Sequence, residues 1–167
     1  MITPTAVALE AQEITNLSIA LKVKSMKKNH HNSFLSFSLA KGFTSPNIPI
    51  ATFYQGDKEL NFIIDTGSDD NVINKEALDN IEYEKTDHKG TLSGVGGIYE
   101  VEGCNITFQY EGETFTGMFI ISDNLKEAFD NIRKCHAIPL HGMLGSKFLK
   151  ENNIVLDFKN LTAYSKE

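Results

Sequence analysis

A chain of 167 residues fits a single domain of the usual roughly 100–200 residues and leaves no room for a self-sufficient two-lobed enzyme. With 41% hydrophobic and 23% charged residues the composition excludes wholesale disorder. Sixteen Lys+Arg against twenty-two Asp+Glu, a formal net charge of −6, disfavour a nucleic-acid partner, which needs a basic face to release phosphate counterions.

The chain divides near residue 46. Before it, Ala6, Leu9, Glu13, Leu17, Ala20 and Leu21 recur at three and four spacings, a weak amphipathic helix pattern. Lys22, Lys24, Lys27 and Lys28 then lead into the polar break Asn29-His30-His31-Asn32-Ser33, read as a solvated helix end or tail. Residues 1–45 are assigned as an accessory segment: a pro-segment, an anchor remnant or an extra strand. Within it Phe34, Leu35, Phe37 and Leu39 fit a core strand better than a ligand site. The N-terminus lacks a basic n-region, and Glu10, Gln12, Glu13 and Asn16 interrupt any apolar h-region. No run reaches the roughly 18 apolar residues of a membrane-spanning helix. The expected location is therefore cytoplasmic, where the two cysteines, Cys104 and Cys135, read as reduced thiols. Cys135-His136 and His141 lack the paired spacing of a zinc site, so neither metal nor cofactor is expected.

From residue 46 to 167 the pattern becomes that of short strands. Ile48–Tyr54 and Leu60–Ile64 flank the turn Gln55-Gly56-Asp57-Lys58, a hairpin. Ile106, Phe108 and Tyr110 alternate, Glu111-Gly112 turns the chain, and Phe115, Gly117, Phe119 and Ile121 continue with period two. Leu125, Ala128, Phe129 and Ile132 have helical spacing behind the N-cap candidates Asp123 and Asn124. A short helix over Lys147–Glu151 follows the Gly145-Ser146 break. Ile154, Leu156 and Phe158 alternate once more before Leu161–Tyr164. Many short strands separated by turns predict an all-β domain, a small closed or sandwiched sheet with one or two short helices.

The segment that carries chemistry is Phe62-Ile63-Ile64-Asp65-Thr66-Gly67-Ser68-Asp69-Asp70-Asn71-Val72-Ile73. An apolar strand delivers an acid at its end, a hydroxyl residue holds the turn, and Gly67 permits close backbone approach. Leu92-Ser93-Gly94-Val95-Gly96-Gly97-Ile98-Tyr99 follows as a flexible hairpin tip, a mere turn or a lid over a ligand. His141-Gly142-Met143-Leu144-Gly145-Ser146 leads into the last helix, and Ile154-Val155-Leu156-Asp157-Phe158 closes the series.

In this order the four elements resemble the retropepsin-like aspartic proteases, over about residues 47–165. Asp65-Thr66-Gly67-Ser68-Asp69-Asp70-Asn71-Val72 is similar to the retroviral active-site segment. Ser93-Gly94-Val95-Gly96-Gly97 resembles the flap tip, and Met143-Leu144-Gly145 the segment that crosses behind the catalytic loop. The resemblance implies a closed barrel of the acid-protease type with a flap hairpin. Two departures stand out. Retroviral enzymes place an Arg after the glycine matching Gly145, where it braces the acid matching Asp69. Here Ser146 and Lys147 follow, so the brace is absent or handed to Lys147. The stretch Ser122–His141 is also longer than the retroviral connection.

The same resemblance implies an aspartic-type endopeptidase acting on polypeptide substrate by proteolysis. Such hydrolases need two carboxyl groups on one water, and a close pair of acids keeps one proton between them. Only Asp65 has the Thr-Gly context, so the expectation is a homodimer with one catalytic Asp65-Thr66-Gly67 from each subunit. Ser68, Asp69, Asp70, Gly94, Val95, Gly96, Gly97 and Leu144 are the expected substrate-binding residues, with Ile64 and Val72 shaping apolar subsites. Strand 154–158 or 161–165 is expected in a shared dimer sheet. The alternative is a catalytically silent peptide-binding or dimerisation module on the same fold. No membrane partner is expected.

Overall fold

The computed structural model describes residues 35–94 and 97–165, with the backbone alone at 92–94 and 99. The expected helix over 6–21, the lysine cluster, His30-His31, and Val95 and Gly96 of the hairpin tip lie outside the described residues.

The chain begins with a three-residue strand, β1 (Ser36–Ser38), and one helical turn, α1 (Ala40–Phe43). Next come β2 (Ile50–Gln55), β3 (Lys58–Ile64) and β4 (Asn71–Asn74), and then a 3-10 helix over Lys75–Asn80. Three longer strands follow, β5 (Glu84–Gly94), β6 (Gly97–Tyr110) and β7 (Glu113–Ser122). The remaining elements are α2 (Lys126–His136), β8 (Gly142–Leu144), α3 (Ser146–Glu151), β9 (Ile154–Asp157) and β10 (Thr162–Ser165).

Turn chemistry explains the hairpins. Gly56 has φ +59° in the β2–β3 turn, while Glu111 and Gly112 at +49° and +93° form the tight β6–β7 connection. Positive φ at both central residues matches the twist of the flanking strands. The expected N-caps of α2 do not act as such: Leu125 holds that position with no side-chain cap bond, and Asp123 lends only its carbonyl, to Lys126 N–H at 3.1 Å. Asn152 ends α3, and Asn153 at φ +52° breaks it off.

The strands form a seven-stranded sheet in the order β2-β3-β8-β4-β7-β6-β5 and a separate three-stranded sheet, β1-β10-β9. The large sheet curls until β2 meets β6, but only at the pair Tyr54↔Gln109, and β5 extends beyond that meeting as an outer strand. The protein is mostly β, as expected; a regular closed barrel it is not, because one pair of residues makes the closure. Residues 35–45 supply the expected core strand as β1. They fall in the compact unit that starts at Leu35, β1 pairs with β10 at Phe37↔Ala163, and Phe37 and Leu39 are fully buried.

Phenylalanine fills the centre. Phe53 lies 4.9 Å from Phe108 and 5.3 Å from Phe37 between ring centroids, and Phe62, Phe115, Phe119 and Phe148 join the same cluster. Edge-to-face and tilted contacts at these distances add to simple area burial. Phe148 comes from α3, so this core fixes the helix behind the loop that follows β3.

Beside the core lies a polar network. Asn61 is fully buried; it accepts from Lys41 Nζ and Thr52 Oγ1, each at 2.8 Å, and donates to Glu59 Oε1 at 2.9 Å and Pro139 O at 3.0 Å. Lys41 also pairs with Glu59, which ties α1 to β3. The network leaves the Asn61 amide no unpaired polar atom, as burial demands.

Candidate functional site

β3 is buried along Leu60, Asn61, Phe62 and Ile64, and Asp65, directly after its last residue, is half-buried at the surface. The end of the strand is set by a parallel neighbour. Ile64 pairs with Leu144 of β8, and Asp65 N–H donates to Leu144 O at 3.0 Å. β8 also pairs antiparallel with β4, Val72 opposite Met143 and Ile73 opposite Gly142. So β8 runs between β3 and β4, directly behind the loop 65–70 that joins them.

Asp65 is held in a local turn. Its Oδ1 accepts from Gly67 N–H at 2.9 Å, and its carbonyl accepts from Ser68 N–H at 3.2 Å. No hydrogen bond among the described residues uses Oδ2. Thr66 and Gly67 are exposed, and no hydrogen bond among the described residues uses the Thr66 hydroxyl. Ser68 Oγ donates to Asp70 O at 2.8 Å and closes the loop on itself.

The loop is clamped from behind by the start of α3. Ser146 N–H donates to Ser68 O at 2.8 Å, Ser146 Oγ lies 3.0 Å from the same oxygen, and Lys147 N–H donates to Asp69 O at 3.1 Å. The side chain of Lys147 is exposed and makes no ion pair with Asp69 among the described residues, so it does not supply a charged brace. Close approach needs glycine here. A Cβ on Gly145 would sit 2.5 Å from Asp70 O, and one on Gly142 would sit 2.2 Å from Val72 O. The Gly142-Met143-Leu144-Gly145 spacing was the sequence signal for this, a buried strand with bare backbone at both ends.

The expected site residues do not all meet. Asp65, Thr66, Gly67, Ser68, Asp69 and Asp70 share one surface loop, with Thr66, Gly67 and Asp69 exposed and the others half-buried. Leu144 has no exposed surface; it packs in the core and serves Asp65 through its backbone carbonyl alone. Ile64 and Val72 are buried too, at 4% and 3% exposure, so within one subunit they support the loop rather than face a ligand. Gly94 and Gly97 pair across the end of the β5–β6 hairpin. Among the described residues no strand pairing or hydrogen bond joins that hairpin to the Asp65 loop. Two cavities of about 510 and 520 Å³ lie by Tyr54, Glu82 and Asn105 and by Lys89, Glu100 and Glu102; Asp65 lines neither.

One supporting residue escaped the sequence reading. Asn71 is buried at 6% exposure; its Oδ1 accepts from Gly145 N–H at 3.0 Å and its Nδ2 donates to Met118 O at 3.0 Å. In sequence it is one more polar residue in a turn-like run, and nothing local marks it as buried.

Among the described residues no group of three or more His, Cys, Asp or Glu is placed to hold a metal ion, and no helix is long and apolar enough to cross a membrane. Cys104 is buried and Cys135 exposed, both unbridged. No protein-family model and no curated protein matches the chain.

Proposed function

We propose that this protein is an aspartic endopeptidase that works as a homodimer of the retropepsin-like type, each subunit supplying one Asp65. The observation that carries the reading is the β3–β8–β4 crossing behind Asp65-Thr66-Gly67, which sets a single half-exposed carboxyl at a surface, its Oδ2 in no hydrogen bond among the described residues. Half-exposure of the acid and exposure of Thr66 suit a loop completed by a second copy about a twofold axis. The order of motifs along the sequence supports the same reading.

Two such carboxyl groups at one axis share a proton, because like charges at close range do not both ionise. The ionised group takes a proton from a water held between them as the water oxygen bonds to the peptide carbonyl carbon. The neutral group donates a hydrogen bond to the carbonyl oxygen, where charge develops. Collapse of the tetrahedral intermediate breaks the C–N bond, the amine leaves with a proton from the acid pair, and a carboxyl product remains. Backbone groups of the Gly67–Asp70 loop and of the β5–β6 hairpin are suited to pair with an extended peptide in the manner of an added strand. Residues 1–34 precede the domain and are candidates for a segment that regulates it or is removed by self-cleavage.

Sedimentation equilibrium alongside cleavage of a mixed peptide library from about pH 4 to 8 tests this. A dimer that cuts peptides supports the reading. A stable monomer or dimer that cuts none, with no processing of its own N-terminus seen by mass spectrometry, favours a silent binding module.

A further inference from the structure

Ser146 is the first residue of α3 and lies against the loop that carries Asp65. Both of its donors serve one acceptor: the amide N–H reaches Ser68 O at 2.8 Å and the hydroxyl reaches it at 3.0 Å. A carbonyl oxygen has two lone pairs, so Ser68 O is saturated by a single residue. That fixes the plane of the peptide between Ser68 and Asp69. The next amide, Lys147 N–H, holds Asp69 O at 3.1 Å. Ser68 passes the constraint on, with its own N–H on Asp65 O at 3.2 Å and its hydroxyl on Asp70 O at 2.8 Å.

The hydroxyl has one proton to give. Ser146 Oγ is also 3.5 Å from Asp69 Oδ1, a distance too long for a good O–H···O bond. The proton therefore serves Ser68 O. Among the described residues no Lys, Arg or His nitrogen comes within 4.0 Å of the carboxylates of Asp65, Asp69 or Asp70. The clamp on this loop is made of uncharged donors.

We infer that Ser146 is a positioning residue: its hydroxyl orients the Ser68–Asp69 peptide and, through Ser68, the turn that presents Asp65, without touching the reacting atoms. The kinetic consequence rests on the endopeptidase reading; the effect on the loop does not. An N-terminal helix position tolerates Ala well, so a role confined to α3 predicts little change on losing the hydroxyl.

The test compares the parent with Ser146→Ala and Ser146→Thr in the full chain. Amide hydrogen exchange over residues 66–70 is measured beside cleavage of the peptide library. Ser146→Ala is expected to speed exchange in that loop and to lower kcat/KM about five- to tenfold, mainly through KM, the size of one hydrogen bond. Ser146→Thr, which keeps the donor, is expected to restore both. If the parent cuts no peptide but the loop still responds to Ser146→Ala and recovers with Thr, the endopeptidase reading fails while the positioning role stands. Unchanged loop exchange in Ser146→Ala overturns the inference. So does a uniform rise in exchange across the core, which marks a general structural role, or failure of Thr to rescue.

Discussion

The amide N–H of Gly145 ends on the side-chain oxygen of Asn71, 3.0 Å away, and the other end of that side chain reaches Met118 O at 3.0 Å. One buried carboxamide thus joins three segments: the start of β4, strand β7 and the turn from β8 into α3. Truncation leaves the buried Gly145 N–H without its partner and takes one donor from the half-buried Met118 O. Asn71→Ala is expected to cost about 1–3 kcal/mol of stability, read as a lower urea midpoint with an unchanged m-value. An unchanged midpoint would show that water replaces the amide and that the loop does not depend on it.

His141 gives the fold a pH dependence with a definite sign. Burial pushes its imidazole below the ordinary value of 6.5, with Lys41 acting in the same direction and Glu59 against it. Its Nδ1 accepts from Asn61 N–H at 3.0 Å, a bond that needs this nitrogen unprotonated. The unfolded chain takes up a proton near the ordinary value and the folded chain resists it. Stability is therefore complete above about pH 6.5 and falls as pH drops below it. Melting temperatures measured between about pH 7.5 and 5 should show this decline. His141→Asn, which keeps an acceptor near the Nδ1 position and does not titrate, should flatten it. An equal decline in the variant would assign the effect to other groups.

The two thiols should differ sharply in reactivity. Cys104 is buried in the core, and burial pushes its thiol up to about 11; Cys135 is exposed on α2. Since the thiolate is the reactive form, alkylation of the native protein near neutral pH should modify Cys135 alone, and both should react after unfolding. Mass spectrometry of the labelled peptides reads this directly. Rapid native labelling of Cys104 would mean that β6 opens far more readily than its packing implies.

Local pattern carried a good deal of the fold. The β2–β3 hairpin, the alternation of β6, and α3 were legible, because side chains with period two or a helical repeat mark the face they bury. β9 was expected from Ile154, Leu156 and Phe158, but it stops at Asp157, is half-buried throughout and leaves Phe158 exposed. The loop 65–70 and the crossing segment 143–145 were legible as a pair only through the order of motifs. What sequence did not disclose depends on distant partners. β1 itself was legible as a core strand from Leu35, Phe37 and Leu39, but its partner β10, more than a hundred residues on, was not. Leu144 was expected in the cleft only because the resemblance implied it, yet β8 lies inside its sheet and that side chain is in the core. Asn71 and Ser146 each act through two hydrogen bonds to chain 47 to 78 residues away, and no spacing rule registers those. Of the two strands expected in a shared dimer sheet, β10 pairs on both sides, with β9 and with β1, so among the described residues the unpaired edges of the three-stranded sheet belong to β1 and β9.

The central claim is that Asp65 supplies half of a peptide-cleaving pair, and the most direct test is cleavage by Asp65→Asn beside the parent. The substitution keeps the shape of the side chain and an acceptor for Gly67 N–H. Fold, melting temperature and sedimentation should be unchanged while peptide-library cleavage at mildly acidic to neutral pH is lost. A variant that cuts the library as well as the parent would contradict the account.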